Sequence, residues 1–146
     1  MRIYLGSDHA GYAFKENLQK HLKGQGHSVV DLGAFNEDDV DYPDIAHEVT
    51  DKVVENPGAY GILICGTGIG MSMASNDNKR ARAALCTDEH MAEMARKHNN
   101  ANMLCMGARV IDSGLGIKIA DKFLNTEFES HEERHVRRVN KIKRNV

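Results

Sequence analysis

The sequence predicts an α/β protein, a Rossmann-like α/β/α sandwich with a five-stranded parallel sheet and one extra C-terminal helix. A chain of 146 residues is the size of one domain. Five short apolar runs recur along it, and a stretch with helical spacing follows each run. Strands that alternate with helices form parallel sheets covered on both faces, which gives this fold class.

The five strands are expected in the runs "RIYLG", "HSVVDLG", "GILIC", "ARAALC" and "NMLCMG". The first helix follows in "GYAFKENLQKHLKGQG", where Phe14, Leu18 and Leu22 lie four apart and share one face. Gly24 and Gly26 supply a stop for it. Both the period and the stop signal are typical of an amphipathic helix that packs on a sheet.

The later helices repeat this signal. In "PDIAHEVTDKVVEN", the positions Ile45, Val49 and Val53 share a face, and a proline suits the first turn. A third helix follows the glycine-rich loop after the third strand. The segments "TDEHMAEMARKH" and "SGLGIKIADKFLN" predict two more, and the expected N-caps are Thr87 or Asp88 for the first and Ser113 for the second.

Residues 1–146 are expected to form a single domain, in which residues 130–146 make a basic C-terminal helix. The tail "HEERHVRRVNKIKRNV" carries six Lys or Arg against two Glu, whereas "GAFNEDDVDYP" is predicted to be an acidic, exposed loop. Nucleic-acid binding by the tail is an alternative, but no aromatic residue is present there to stack on bases.

Composition and charge exclude several classes of protein. The formal charge of −2 gives no overall attraction to nucleic acid or anionic membranes. The first apolar stretch is too short for a signal peptide or a membrane span, so a cytoplasmic location is expected. The three cysteines have no CxxC spacing, and His90 and His98 lie eight apart without a metal-binding pattern, so no metal site is predicted.

Two loops after predicted strands carry residues that suit a ligand site. In open parallel sheets, ligands bind outside the carboxyl ends of the strands. The segment "SDHAG" puts Ser7, Asp8 and His9 at the end of the first strand. The alternative for this loop is that Asp8 caps the following helix while His9 is exposed. If the first and third strands are neighbours, this loop and the next one open into the same crevice.

The second loop, "CGTGIGMS", follows the third strand and begins a helix. Glycines at positions 66, 68 and 70 let backbone amides approach an anion, and the helix N-terminus adds partial positive charge. A dinucleotide fingerprint would need glycine in place of Met71, and a phosphate-binding P-loop would need a Gly-Lys-Ser/Thr ending. A plain tight turn is the remaining alternative, although one or two glycines would suffice for it.

Cys65 ends the third strand beside these amides, which favour a thiolate. Such a thiolate can act as a nucleophile or as a general base, and the residues alone leave both open. The alternative is a small buried apolar residue, which is the expected role of Cys86 and Cys105.

Other candidates lie later in the chain. His98 and Asn99 close the fourth predicted helix, where a histidine is commonly a cation that interacts with the helix dipole. Arg109 follows the fifth strand, and Arg134 and Arg138 lie four apart, so that on a helix they could hold one phosphate. The alternative for the last two is a solvated basic face.

Together, "SDHAG", "DYPDIA", "GILICGTGIGMSMASN", "RARAALC", "HNNANMLCMGARV" and "RHVRRV" resemble the family of type B ribose-5-phosphate isomerases and the related galactose- and allose-6-phosphate isomerases. The resemblance covers nearly the whole chain. It implies a cofactor-free aldose–ketose isomerase that works through an enediolate. It also implies a homodimer or tetramer whose active sites combine both subunits, with a small sugar phosphate as ligand and neither nucleic acid nor membrane as partner.

The resemblance also implies roles for individual residues. Cys65 is similar to the base that moves a proton between C1 and C2, and His98 to the acid for ring opening, with Asp8 assisting. The enediolate cradle would comprise Thr67 and the amides of Gly66, Gly68, Ile69 and Gly70. Sugar and phosphate would be bound by Asn99, Tyr42, His9, Arg109, Arg134 and Arg138. Part of the family uses a glutamate base where this chain has Met71, so the cysteine branch is indicated.

The expected function is therefore interconversion of ribose 5-phosphate and ribulose 5-phosphate in the pentose phosphate pathway. The same chemistry on allose or galactose 6-phosphate is the alternative, and a non-catalytic nucleotide-binding module is a third reading. Arg137, between the two tail arginines, has no assigned partner.

Overall fold

The computed structural model describes residues 1–144 and contains five strands and six α-helices within that range. Their order along the chain is β1 (Arg2–Ser7), a 3₁₀ turn (His9–Gly11), α1 (Tyr12–Gly24), β2 (Ser28–Asp31), α2 (Tyr42–Glu55), β3 (Tyr60–Cys65), α3 (Ile69–Asn76), β4 (Ala83–Leu85), α4 (Glu89–Lys97), β5 (Met103–Gly107), α5 (Ser113–Leu124) and α6 (Glu133–Asn140). No helix in residues 1–144 is both long and apolar enough to cross a lipid bilayer.

All five strands are parallel and lie in the order β2-β1-β3-β5-β4. The predicted α/β fold is confirmed, and β1 and β3 are neighbours. Their register pairs Ser7 with Ile64, and the register of β3 with β5 pairs Cys65 with Gly107. The carboxyl ends of the three central strands therefore meet at one edge of the sheet.

Helices cover both faces of the sheet because alternate strand residues point to opposite sides. On one face, α1, α4 and α5 pack against β-strand side chains, and Phe14, Leu18 and Leu22 are buried there as their spacing predicts. On the other face, α2 and α3 pack against the sheet, with Val49 and Val53 buried. Burying both faces is what a continuously apolar parallel strand requires.

Helix ends agree with the sequence in part. Asp88 caps α4, since its side chain accepts a hydrogen bond from the Met91 amide at 2.7 Å. The prediction that Ser113 caps α5 is wrong, because Asp112, one residue earlier, accepts from the Leu115 amide at 2.8 Å. The C-terminal helix occupies only Glu133–Asn140 of the predicted segment, whose residues 145 and 146 lie outside the described residues.

Lys15 is a buried cation that fixes the end of β2. Its side chain is inaccessible to solvent, and Nζ donates to Asp31 Oδ1 at 2.7 Å and to the Ala34 carbonyl at 2.5 Å. A charge in such a place needs a close partner, which Asp31 supplies. The contact anchors the start of the exposed acidic loop that leads to Tyr42.

Candidate active site

Three loops meet at the carboxyl edge of the sheet. The Asp8 amide donates to the Ile64 carbonyl at 3.1 Å, and the Ala108 amide donates to the Cys65 carbonyl at 2.9 Å. These bonds continue the β1–β3 and β3–β5 pairing beyond the strands. The loops after β1 and β3 therefore lie side by side, as the adjacency of their strands predicts, and the loop after β5 lies on the other side of the β3 loop.

The glycine loop of residues 66–70 lies directly on the end of β5. Gly68 adopts φ = +82°, which an L side chain rarely adopts, and a Cβ there would lie 2.9 Å from the carbonyl carbon of Met106. A Cβ on Gly107 would lie 2.6 Å from the carbonyl group of Thr67. Close backbone approach thus requires glycine at position 68 of the loop and at position 107 of β5.

Cys65 ends β3 under this loop, with only 6% of its surface exposed. The Gly68 amide donates to its Sγ at 3.1 Å, and α3 begins at the next residue. Thr67 is exposed beside it, and its Oγ1 accepts from the Ile69 amide at 3.2 Å. An amide donor and a helix N-terminus both favour negative charge, so the loop can stabilise a thiolate or an oxyanion.

The other two cysteines have apolar surroundings. Both are buried, and each packs in one of the two hydrophobic clusters. Burial raises the pKa of Cys86 to about 12. It also raises the pKa of Cys105, whose side chain is inaccessible. These two residues are core side chains, as expected.

Arg109 and Tyr42 form the rim of the glycine loop. The Arg109 guanidinium lies against Gly66, where a Cβ would be 3.3 Å from Nη1, and its own amide donates to the Gly66 carbonyl at 3.0 Å. The Tyr42 ring fills the space where a side chain on Gly70 would stand. Both side chains are exposed, so they can meet a ligand above the loop.

The loop after β1 contributes Asp8 and His9. Asp8 is buried and its Oδ1 accepts from the Gly11 amide at 3.1 Å, so the capping alternative is correct for that oxygen. His9 is half-buried, not exposed, and its Nε2 lies 3.4 Å from Asp39 of the acidic loop. Two buried atoms here, Ser7 Oγ and His9 Nδ1, have no hydrogen-bond partner among the described residues, and both could accept one from a ligand.

The structure places His98, Asn99, Arg134 and Arg138 away from Cys65. His98 caps the C-terminus of α4, which runs back from the carboxyl edge to the edge where the strands begin. The five residues of β5 separate the two edges by about 13 Å at 3.3 Å per residue. Within one chain, His98 and Cys65 therefore cannot contact one small ligand through direct proton transfers of about 3 Å.

His98 belongs to a second group of side chains at this far edge. Its ring stacks on His135 of α6, with centroids 4.3 Å apart, and its Nε2 lies 3.4 Å from Glu129 Oε1. Burial lowers the pKa of His135, and the nearby His98 lowers it further. Sequence reasoning missed Glu129 and His135, because they are distant from His98 in the chain and no spacing rule connects them.

The tail arginines are exposed on α6. Arg134 and Arg138 lie one turn apart, as expected, and Arg134 Nε is 3.8 Å from Glu132. Arg137 is also exposed. In a single chain they form a basic face beside His98 and Asn99.

Arg96 holds the turn that presents His98 and Asn99. It is 5% exposed, and its Nη1 donates to Asn100 Oδ1 at 3.1 Å and to the Ala101 carbonyl at 2.6 Å. Its guanidinium lies 4.8 Å from the centroid of the Tyr60 ring. The side chain thus fixes the connection between α4 and β5 from inside the protein.

Comparisons with known proteins show the family of this chain. Residues 3–142 match the model of a family described as Ribose/Galactose Isomerase. The ribose-5-phosphate isomerase B of Mycobacterium leprae is 40% identical over 95% of this chain and 86% of its own length.

Two solved structures superpose on nearly the whole chain. The ribose 5-phosphate isomerase of Thermotoga maritima has a TM-score of 0.93 and 45% identity, covering 97% of each chain. The ribose-5-phosphate isomerase B of Mycoplasma genitalium, solved with bound ribulose-5-phosphate, has a TM-score of 0.92 and 46% identity, covering 97% of this chain and 93% of its own. With this fold, this glycine loop and these relatives, the chain belongs to the Ribose/Galactose Isomerase family.

Proposed function

We propose that this protein interconverts ribose 5-phosphate and ribulose 5-phosphate through an enediolate, a reaction of the pentose phosphate pathway. The observation that carries the proposal is Cys65 beneath the glycine loop at the head of α3, with the Gly68 amide donating to its Sγ at 3.1 Å. A relative that is 46% identical binds ribulose 5-phosphate, which supports a pentose phosphate as ligand.

In the proposed reaction, the Cys65 thiolate removes the proton from C2 of the open-chain aldose. Electrons move onto O1, and the resulting enediolate is stabilised by the amides of the glycine loop and by Thr67. The Cys65 thiol then returns the proton to C1, while the O2 hydroxyl proton moves to O1 and leaves a ketone at C2. Carbon C1 is reduced as C2 is oxidised, so the step balances without an external electron carrier.

Sugar binding and ring opening require residues from both edges of the sheet. Ring opening needs an acid at the ring oxygen, the role proposed for His98, with Asp8 assisting and Asn99 binding the sugar. The phosphate would meet His9 and Arg109 on one side and Arg134 and Arg138 on the other. Arginine suits this role because its planar fork binds phosphate through two parallel hydrogen bonds.

We infer that a homodimer supplies the two halves of each site. The carboxyl edge of one chain, with Cys65, would face the far edge of the other, with His98. Exposed apolar side chains border the glycine loop and offer a surface for this contact, namely Tyr42, Ile69, Met73 and Val110. Apolar surface beside a polar site is typical of a protein interface.

The same chemistry on a hexose 6-phosphate is the second candidate, because the matching family is described for both ribose and galactose. The reacting carbons C1 and C2 are shared by the two substrates. They differ in the distance from those carbons to the phosphate, which the two subunits would set together.

The test is turnover of ribose 5-phosphate by chelator-treated protein, beside allose and galactose 6-phosphates. The matched pair of variants is Cys65→Ala and Cys86→Ala, since both replace a buried thiol but only the first lies under the glycine loop. Loss of a general acid–base group predicts a drop in kcat of about 10²–10⁴-fold for Cys65→Ala, while Cys86→Ala keeps most activity.

A preference for a hexose phosphate would keep the mechanism and change the substrate. Equal activity of Cys65→Ala and Cys86→Ala would reject Cys65 as the base. Binding of nucleotides without turnover of any sugar phosphate would favour a non-catalytic module.

A further inference from the structure

A cluster of three potential metal ligands lies at the far edge of the sheet. It consists of His98, Glu129 and His135, whose ligand atoms all lie within 4.8 Å of one another. Glu129 Oε1 is 3.4 Å from His98 Nε2 and 3.9 Å from His135 Nε2. We propose that these three side chains bind a divalent transition-metal ion of the zinc class, and that this ion inhibits the enzyme.

The ligand types select the metal. Two imidazole nitrogens and one carboxylate are a recurring three-ligand set for zinc, which leaves a fourth position for water or another ligand. Magnesium and calcium prefer oxygen ligands alone, so the two histidines disfavour them. The cluster is therefore expected to distinguish zinc from the alkaline-earth ions.

The geometry requires only local side-chain movement. Zinc binds nitrogen and carboxylate oxygen at about 2.0–2.2 Å, so tetrahedral ligands lie roughly 3.4 Å apart. The contact between His98 and Glu129 already has that length, whereas the stacked rings must turn so that both Nε2 atoms face the ion. His98 and Glu129 are 43% and 32% exposed and can rotate, while His135, at 8%, provides a fixed ligand.

The backbone supports the same three residues. The Glu129 amide donates to the Lys97 carbonyl at 3.1 Å, which ties the segment before α6 to the last turn of α4. His98 is the residue that caps that turn. Two ligands therefore lie on directly connected backbone, and the third projects from α6 toward them.

The inhibitory consequence rests on the proposed function, whereas the binding site does not. A metal on His98 Nε2 would occupy the lone pair that must carry a proton during ring opening. Within one chain the ion would not touch Cys65 or its loop, which lie at the other edge of the sheet, but in the proposed homodimer it would lie in the site that contains the other chain's Cys65. Zinc would thus act as a reversible inhibitor by occupying the acid.

The experiment titrates the full-length chain with Zn²⁺ by calorimetry and with Co²⁺ by visible absorption. The titrations use the Cys65→Ala background, so that the thiolate cannot bind the metal. We expect one ion per chain, with affinity reduced at least about tenfold by His135→Ala or Glu129→Gln. His131→Ala is the matched control, because it removes an exposed imidazole of the same segment and should leave the affinity unchanged.

Glu129→Gln keeps the shape of its side chain and decides the question if His135→Ala does not fold. Equal zinc affinity in Glu129→Gln and the control would overturn the site. In chains that retain Cys65, zinc should inhibit turnover and a chelator should restore it. Inhibition is measured as the zinc concentration that halves each variant's own metal-free rate. This concentration should be at least about tenfold higher for Glu129→Gln than for the His131→Ala control.

Inhibition that is equal in these two variants would overturn the inhibitory part. A chain that binds zinc but turns over no sugar phosphate would instead reject the proposed function and keep the metal site.

Discussion

Cys65 packs in the same apolar cluster as Cys105 but differs from the other two cysteines in the polar groups beside its sulfur. Its Sγ accepts a hydrogen bond from the Gly68 amide, and the N-terminus of α3 lies beside it. Cys86 and Cys105 are surrounded by apolar side chains, which disfavour a thiolate. The three residues are chemically identical in the sequence, so their reactivity is decided by these surroundings.

Iodoacetamide at mildly alkaline pH should therefore modify Cys65 first. Because the pKa of Cys86 is raised to about 12 and that of Cys105 is also raised, both stay protonated and unreactive until much higher pH. Peptide mass spectrometry after partial alkylation measures the order, and ribose 5-phosphate should slow the reaction at Cys65. A fully alkylated Cys65 in a protein with undiminished activity would contradict its role as base.

The role of a single residue could be predicted from the sequence where its neighbours along the chain form a recognisable pattern. Cys65 and the glycines after it are consecutive, and a glycine loop between a strand and a helix has a known use. Glu129 and His135 have no such rule, because only the tertiary fold brings them to His98. The prediction for the cap of α5 is wrong for a different reason, since Asp112 and Ser113 are adjacent and both residue types are good caps.

At the scale of elements, the backbone of the glycine loop packs directly against the backbone of β5, which is possible only where no side chain lies between them. Gly107 is the last residue of β5, and the Thr67 carbonyl occupies the position of its missing side chain. Contact with the sheet thus holds the loop in place. Positioning by a rigid element suits an oxyanion site, where donors must be in place before charge develops.

Gly107→Ala should displace the loop without altering any residue proposed to contact the sugar. A methyl group 2.6 Å from the Thr67 carbonyl forces backbone movement, so we expect a loss of about 1–3 kcal/mol in the free energy of unfolding and a lower kcat. Gly24→Ala is the control, since a Cβ there meets no atom within 4 Å and should change stability by less than about 0.5 kcal/mol.

Thermal unfolding and steady-state kinetics measure both quantities. A Gly107→Ala protein as stable and active as Gly24→Ala would show that the loop tolerates displacement.

Hydrophobic periodicity predicts individual helices and strands more reliably than it predicts the order of strands in the sheet. The spacing of Phe14, Leu18 and Leu22 identifies both a helix and its buried face, because that face must meet the sheet. Strand order has no comparable signal in one sequence. The sequence therefore did not predict that β1 and β3 are neighbours. The structure shows that they are, and this adjacency brings the loops after them together.

At the scale of the whole molecule, the candidate residues divide between opposite edges of the sheet. Cys65 and Arg109 lie at the carboxyl edge. His98, at the end of α4, and Arg138, in α6, lie at the opposite edge. The order of strands and helices already indicates these edges, because residues after a strand lie at the carboxyl edge and residues that end a helix before the next strand lie at the other. In the proposed homodimer, the carboxyl edge of one copy faces the opposite edge of the other and brings these residues into one site.

Mixing two inactive variants tests this arrangement. In the proposed homodimer, Cys65→Ala and His98→Ala each remove one catalytic residue from every site, so neither variant alone should be active. Co-expressed in equal amounts, they should form mixed dimers in which one of the two sites has both wild-type residues. Random pairing then restores about a quarter of the wild-type sites. Turnover of ribose 5-phosphate by the co-purified mixture measures it.

Sites contained within single chains would give no recovery, because every chain carries one defect. The same pair of variants mixed without subunit exchange serves as the control and should stay inactive.

The buried Arg96 has a consequence for the energetics of binding. It clamps the turn after α4 through Asn100 and Ala101, and the Tyr60 ring lies over its guanidinium. Conformational entropy of that turn is therefore lost when the chain folds, before any sugar arrives. The backbone of His98 and Asn99 is already ordered when the ligand arrives, so binding has to immobilise only their side chains and loses less affinity to ordering.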